Sequence, residues 1–421
     1  MTNTISTRDS YLIKGFIILI SFIIMYFNTQ ITYSKYVAIM TIIFNMITVF
    51  KVRKNWLLLI IFGFIFYSNI SIVLANYFGY ANNIFTSFSN DMSSVLGINL
   101  LFFTSVCLYC VLPNHIIKNN TLSIYSTSKK SDLIFLLIII VLIFIFFNGF
   151  TKPSIAGGRG ATSTLYEYSI VFFIIGYAYG EEKYKKIIIS LILFLYVIQD
   201  MIYGGRGSAL QLILIFFIVI CSNKIDYKKA IPIIFIGMII FTGIGNYRAS
   251  FDFSINQICK VFNSLLETGF VNDTSYSAYY TSLTFLKVKE FVGVQTQLYL
   301  LFQFILYIFL GSKIVDSNLA VYTRQYYVHY YGGVLPLYMY FYLGILGIMF
   351  IVLYLKFWIK KMNESSKKVS HLQRCLCIYI SACVPRWYLY SPSSLFRGVL
   401  IFIFVYKMVE LLDMILKKNI Q

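Results

Sequence analysis

The stretch KVRKNWLLLIIFGFIFYSNISIVLANYF, residues 51–78, decides the fold class of this protein. Its first four residues carry three positive charges, and the run 56–78 that follows carries no charge. As an α-helix this run would be about 35 Å long, which exceeds the roughly 30 Å hydrocarbon core of a bilayer. Since lipid offers the backbone no hydrogen-bond partner, residues 56–78 are predicted to form a transmembrane helix.

Similar runs recur along the whole chain. Of its 421 residues, 59% are hydrophobic and only 12% are charged, whereas about 25% of the residues of a soluble domain are charged. Runs of spanning length occur at about 12 places, namely 12–28, 34–50, 56–78, 93–112, 132–147, 165–180, 187–203, 208–222, 229–245, 334–358, 372–390 and 398–416. This pattern excludes a soluble enzyme and predicts an all-α polytopic membrane protein, with residues 1–421 as one integral membrane domain.

Lysine clusters between the runs predict the orientation in the membrane. Loops rich in lysine alternate with loops poor in it, and the rich loops contain Lys51 and Lys54, Lys129-Lys130, Lys183 with Lys185-Lys186, Lys224 with Lys228-Lys229, and Lys360-Lys361 with Lys367-Lys368. Basic loops stay in the cytoplasm, so both termini are predicted to be cytoplasmic. This arrangement explains the net charge of +19 without nucleic acid as a partner.

The longest stretch on the opposite, outer side is then 246–333. It contains one further apolar run, 298–310. As a helix this run would be about 20 Å long, which is short for a bilayer core of roughly 30 Å. A full span here would also move the lysines at 360–361 and 367–368 to the outside. We therefore predict a large extracytoplasmic loop region that carries a short re-entrant or interfacial helix.

Arginine is distributed differently from lysine. In this topology six of the nine arginines lie outside, and these are Arg159, Arg206, Arg248, Arg324, Arg386 and Arg397. Arginine binds phosphate with a planar, bidentate fork that lysine lacks. The excess of arginine on the face without lysine clusters predicts that this face binds an anionic group.

Glycines accompany several of these arginines. The loop Gly157-Gly158-Arg159-Gly160 has a counterpart in Gly204-Gly205-Arg206-Gly207, and a run directed into the membrane follows each loop. Glycine allows a ligand to approach the backbone closely, and a helix N-terminus offers free N–H groups to an anion. The repeated pattern predicts a site for a large anionic headgroup. The alternative is that the glycines form tight turns and the arginines anchor to lipid headgroups.

Three outer residues are candidates for acid–base chemistry, and Arg324 is a candidate for holding phosphate or a sugar acid beside one of them. His329 is the only histidine outside and follows Arg324 by five residues. Histidine can act as a general base near neutral pH, although a single histidine in an aromatic loop also fits a structural role. Glu167 and Asp200 lie near the outer ends of runs, where a charge is costly and often functional. No metal-binding or nucleotide-binding motif is recognisable, so no metal and no cofactor is expected.

Taken together, these features resemble the Wzy-type oligosaccharide repeat-unit polymerases of O-antigen and capsule synthesis. The resemblance rests on the span number, the large outer loop before the last three runs, and short motifs: the glycine loops of Arg159 and Arg206, Asn246-Tyr247-Arg248, Arg324 to His329 before Gly332-Gly333, and Pro385-Arg386-Trp387 through Arg397-Gly398. The pair Arg324 and His329 is also similar to the arginine and histidine of the large loop in O-antigen ligases.

The resemblance implies a GT-C-like, metal-independent glycosyltransferase in the bacterial cytoplasmic membrane. Its donor would be a glycan on undecaprenyl pyrophosphate, and its acceptor would be one lipid-linked repeat unit, with a chain-length regulator as a further partner. The acceptor hydroxyl would attack the anomeric carbon, and the pyrophosphate would leave. Independently of the resemblance, such a leaving group needs charge neutralisation, which arginines and helix N-termini can supply.

Two other classes of protein remain open from the sequence. A flippase or exporter of the same lipid-linked oligosaccharide would share the size, the number of spans and the basic character. It would need charged residues along a path between helices, but the middles of the runs are nearly free of charge. A membrane acyltransferase would need a basic residue and a histidine in an apolar cavity.

Overall fold

The computed structural model describes residues 7–79, 92–117, 131–151, 161–203, 206–226, 228–229, 232, 236–237, 271–311, 314, 317–329, 332–364 and 368–420. Within these ranges the regular structure is helical, apart from one pair of two-residue strands. The all-α prediction is therefore confirmed for the described part of the chain.

The first four helices pack against one another as one group. They are α1 Thr7–Phe27, α2 Ile31–Val52, α3 Trp56–Phe78 and α4 Met92–Val111, and α4 packs against both α1 and α2. The Asn55 side chain accepts a hydrogen bond from the Leu58 backbone N–H at the start of α3, and Gly79 ends α3 in the left-handed region. These caps satisfy backbone groups that a helix end leaves free.

The next group begins with α5 and ends at a π-helical turn. Its elements are α5 Asp132–Asn148, β1 Phe150–Thr151, β2 Ala161–Thr162, α6 Thr164–Glu167, α7 Ser169–Tyr179, α8 Lys183–Tyr203 and α9 Arg206–Phe216, which continues as a π-helix over Phe217–Cys221. The sequence predicted one continuous span over 165–180. The structure instead breaks it at Tyr168, whose ψ of 4° lies outside the helical range.

Two long helices lie within the region predicted as a large loop. They are α10 Asp273–Phe291 and α11 Val294–Leu310, and a short helix, α12 Leu319–Thr323, follows them. Helix α11 corresponds to the predicted short helix at 298–310. Helix α10 was not predicted, because it is rich in tyrosine, serine and threonine and contains no apolar run.

The last five helices lie at the C-terminal end of the described chain. The predicted spans 334–358 and 372–390 each form two helices instead of one. The five helices are α13 Leu335–Leu343, α14 Ile345–Asn363, α15 His371–Ala382, α16 Val384–Leu389 and α17 Ser393–Ile420. Gly344, with φ of +61°, separates α13 from α14 in a conformation that favours glycine. Pro385 lies in the first turn of α16, where its missing N–H costs nothing. Most of the predicted span 229–245 lies outside the described residues.

Several helices have the length and composition of membrane spans. Among the described residues, α2, α3, α4 and α8 are long and apolar enough to cross a bilayer, and α1, α5, α7, α9 and α11 are shorter apolar helices. On α5, Leu136, Ile140 and Phe147 are exposed while Ile138 and Leu142 are buried. Such a helix, apolar on its outer face as well as its inner face, is stable only in contact with lipid. The chain is therefore an all-α membrane protein.

Candidate functional site

Residues from distant parts of the chain meet at one set of helix ends. Asp200 lies at the C-terminal end of α8, and Tyr168 stands directly before α7. Arg386 lies on α16, and Arg397 lies in the first turns of α17. Helix α16 packs against both α9 and α17. We call the group formed by Glu167, Tyr168, Asp200, Arg386 and Arg397 the arginine site.

The best-defined contact in the arginine site joins Arg386 to Glu167. The Arg386 Nη1 atom lies 3.0 Å from Glu167 Oε2, and Nη2 donates to Oε1 at 3.3 Å, so two parallel bonds join residues that are 219 positions apart. The side chains remain 28% and 40% exposed, respectively. Exposed ion pairs contribute little to stability, but the bidentate geometry fixes the orientation of the guanidinium.

Arg397 provides the second cationic group of the site. Its guanidinium carbon lies 5.1 Å from the centre of the Tyr307 ring, on α11. Both Arg397 and Arg386 are close enough to the Tyr168 phenol to interact with it electrostatically. Two guanidinium groups therefore flank one tyrosine, with a half-exposed carboxylate as counter-ion. This arrangement can bind an anion with more than one negative charge.

Asp200 is the buried acid of the arginine site. Its side chain has no exposed surface, and neither carboxylate oxygen makes a well-aligned hydrogen bond to any described residue. The hydroxyls of Ser208 and Tyr166 lie close enough to the carboxylate for weak hydrogen bonding without good alignment, and the Tyr166 hydroxyl donates to Gln199 Oε1 at 3.0 Å. Burying an unpaired carboxylate costs free energy, and such groups concentrate at functional sites.

Only part of the two predicted glycine loops lies within the described residues. Arg206 begins α9, as predicted for the second loop, and the Cα of Gly207 leaves room beside the Tyr390 ring, which a Cβ would approach to 3.9 Å. The side chain of Arg206 is outside the described part of the structure. The remaining predicted binding residues that also lie outside the described residues are Gly158, Arg159, Gly160, Gly205 and Arg248.

The predicted pair Arg324 and His329 lies on a segment next to α16. His329 is buried, and its Nε2 atom lies 2.9 Å from Thr323 Oγ1, whereas Arg324 is exposed at the end of α12. This segment leads to Gly333, whose N–H donates to the Leu389 carbonyl at 2.9 Å. The catalytic roles of Arg324 and His329 stay predictions.

The site contains tyrosines that the sequence did not single out. Tyr166 and Tyr196 stack with ring centres 5.0 Å apart beside Asp200, and Tyr307 and Tyr168 accompany Arg397. With 36 tyrosines in the chain, no local signal distinguishes these four from the others. Their position could be found only from the fold.

Neither a metal-binding cluster among the described residues nor a matching known protein defines the site further. Among the described residues, no group of three or more histidine, cysteine, aspartate or glutamate side chains could hold a metal ion. No protein-family model, no curated protein and no solved structure matches the chain. The function must therefore be argued from the arginine site and from the distribution of charge.

Proposed function

We propose that this protein is a membrane glycosyltransferase that joins oligosaccharide repeat units carried on undecaprenyl pyrophosphate, as the Wzy-type polymerases of O-antigen or capsule synthesis do. The observation that carries the proposal is the convergence of Arg386 and Arg397 at Tyr168, with Arg386 also close to the buried carboxylate of Asp200. A glycosyl transfer from a lipid pyrophosphate needs cations for the leaving group and a base for the acceptor.

The ion pair between Arg386 and Glu167 is suited to exchange its anion. Glu167 is 40% exposed, so its carboxylate can return to solvent at low cost. A pyrophosphate carries more charge than a carboxylate and matches the guanidinium fork equally well. In this proposal the incoming pyrophosphate displaces Glu167 from Arg386 and is also held by Arg397.

In this proposal, the number of spans follows the apolar runs of the sequence, and the orientation in the membrane follows its lysine pattern. The chain has about 12 spans in a GT-C-like fold, both termini are cytoplasmic, and the region 246–333 and the arginine site are on the outer face of the cytoplasmic membrane. The polyprenyl chains of both substrates lie in the bilayer. A chain-length regulator would be a further partner.

Reconstitution tests this proposal directly. Purified protein in liposomes should convert a synthetic lipid-linked repeat unit into a ladder of longer glycans. Arg386→Ala should abolish the ladder, and Arg386→Lys, which keeps the charge but loses the fork, should reduce it strongly. Lys407→Ala is the matched control, because Lys407 forms an exposed pair with Glu410 away from the site. A wild-type protein that yields no ladder, or an Arg386→Ala variant with a normal ladder, contradicts the proposal.

A second function is favoured by one observation. Asp200 is a fully buried acid in α8, a helix with the composition of a span, and buried acids within membranes also serve as proton relays in transporters. A flippase or exporter of the same lipid-linked oligosaccharide would use it for proton coupling. Such a protein would move a labelled lipid-linked unit across the liposome membrane without changing its mass.

A further inference from the structure

We propose that Asp200 is the general base of the arginine site and takes the proton of the acceptor hydroxyl, directly or through one bridging water. This inference rests on the proposed glycosyl transfer and specifies one of its steps. It is carried by the contrast between Asp200 and the two other candidate bases, Glu167 and His329.

The contacts of the three candidates differ. Both oxygens of Glu167 are engaged by Arg386 at 3.0 and 3.3 Å. His329 is buried, and its Nε2 atom is engaged by Thr323 at 2.9 Å. The carboxylate of Asp200 is engaged by no cation at ion-pair distance among the described residues, and the hydroxyls of Ser208 and Tyr166 approach it without forming a well-aligned hydrogen bond. Within the arginine site, Asp200 is thus the acid without an ion-pair partner among the described residues. A buried carboxylate of this kind takes up a proton more readily than an exposed one paired with arginine.

A second buried aspartate shows that the fold can satisfy such a group elsewhere. Asp413 is 4% exposed, and it accepts hydrogen bonds from the Ser131 backbone N–H at 3.0 Å and from Lys417 at 2.8 Å. Asp200 is as deeply buried without either kind of partner. Because an unpaired buried carboxylate lowers stability, its presence at the arginine site is better explained by chemistry than by folding.

Aromatic residues hold the surroundings of Asp200 in place without neutralising it. The Tyr196 hydroxyl donates to the Leu142 carbonyl at 2.6 Å and so ties α8 to α5. Tyr166 stacks on Tyr196 and donates to Gln199, the residue before Asp200. Arg386 is close enough to act on the carboxylate electrostatically. The base and the cation for the leaving group are thus positioned by one packed cluster.

The step balances within the proposed reaction. The O–H bond of the acceptor hydroxyl breaks, and its proton passes to a carboxylate oxygen of Asp200. The hydroxyl oxygen forms a bond to the anomeric carbon of the donor. The bond between that carbon and the phosphate oxygen breaks, and its electron pair leaves with the pyrophosphate, which Arg386 and Arg397 hold. Asp200 returns the proton to water after the product has moved on.

The test is Asp200→Asn, which keeps the shape of the side chain but cannot accept the proton as a carboxylate does. We expect kcat for ladder formation to fall by about a hundredfold to ten-thousandfold, while KM for the lipid-linked unit changes little. The acidic limb of the pH–rate profile should disappear. Thermal stability in detergent should be unchanged or higher, because the amide oxygen can still accept from the nearby Ser208 and Tyr166 hydroxyls and a buried charge is removed.

Asp413→Asn is the matched control, since it weakens the pair with Lys417 in an equally buried aspartate. It should lower thermal stability and leave kcat of the folded protein unchanged. A wild-type protein without ladder activity would reject the proposed function itself. An active wild type with a fully active Asp200→Asn variant would reject only the role of Asp200. A slow variant that keeps the acidic limb would also reject Asp200 as the base, since another group would then be titrating.

Discussion

Among single residues, Gly311 decides how closely the end of α11 can approach Arg397. Its φ of +88° is favourable only for glycine, and a Cβ at this position would lie 2.7 Å from Arg397 Nη2. Tyr307, one turn earlier, lies under the same guanidinium at 5.1 Å. The position of Arg397 in the arginine site therefore depends on the absence of a side chain at residue 311.

Gly311→Ala is expected to move Arg397 and to destabilise the protein. The strained backbone alone should cost about 1–3 kcal/mol, and the displaced guanidinium should weaken pyrophosphate binding. The measurements are thermal unfolding of the detergent-solubilised protein and the KM for the lipid-linked unit. Gly293→Ala, at the other end of α11, is the control, because a Cβ there meets nothing within 4 Å and φ is −62°. Equal behaviour of the two variants would contradict this account.

Part of the candidate site could be predicted residue by residue, and part could not. The alternation of lysine-rich loops placed Glu167, Asp200, Arg386 and Arg397 at one set of helix ends, and the structure brings these four residues together. The pairing of Arg386 with Glu167 spans 219 positions, and hydropathy carries no information on which loops pack together. The tyrosines beside the arginines were missed for the same reason.

Among the secondary structure elements, α10 is a helix that hydropathy does not detect, because its sequence contains no apolar run. Its N-terminal end is tied to α3, where the Asn272 N–H donates to Ser71 Oγ at 3.0 Å, and Tyr279 donates to the Ser94 carbonyl on α4 at 3.2 Å. Its buried residues include Ser275, Tyr279, Thr281 and Ser282. Polar side chains can be buried because most of them find partners inside the bundle.

Two serines on α10 allow this explanation to be tested. Ser282 Oγ accepts a hydrogen bond from the Val334 N–H at 2.7 Å, whereas Ser275 Oγ has no partner among the described residues, and both side chains are fully buried. Ser282→Ala leaves a buried N–H unsatisfied and should cost about 1–3 kcal/mol. Ser275→Ala should cost little or even stabilise the protein.

The comparison requires only thermal unfolding of the two variants under identical conditions. The two serines are seven residues apart on one helix, so their surroundings and the volume removed are closely matched. If Ser275→Ala destabilised the protein as much as Ser282→Ala, packing rather than hydrogen bonding would hold α10 in place.

The elements that the sequence predicts well are those with uninterrupted apolar runs. The runs at 34–50, 56–78 and 93–112 correspond to α2, α3 and α4 within a few residues. Breaks inside a run cannot be predicted in this way, because Tyr168, Gly344 and Cys383 interrupt helices without interrupting the apolar composition. Hydropathy measures transfer into lipid, and it does not detect where backbone torsion angles change.

For the whole molecule, the arginine site depends on helices whose ends alternate in direction. Asp200 and Tyr307 lie towards the C-terminal ends of α8 and α11, while Tyr168 and Arg397 lie at or near the N-terminal starts of α7 and α17. C-terminal ends and N-terminal starts meet on one face only if α8 and α11 run in the opposite direction to α7 and α17. The charge distribution of the sequence predicts that this face is the outer one.

Cysteine labelling from the outside tests this orientation. Val328 is 93% exposed on the segment that carries Arg324 and His329, so Val328→Cys should react with a membrane-impermeant maleimide in intact cells. Lys54→Cys, exposed in a loop predicted to be cytoplasmic, should react only after the membrane is opened. The seven native cysteines must be replaced first. Labelling of Lys54→Cys but not Val328→Cys in intact cells would invert the topology. The arginine site would then face the cytoplasm, where polymerisation of exported repeat units could not take place.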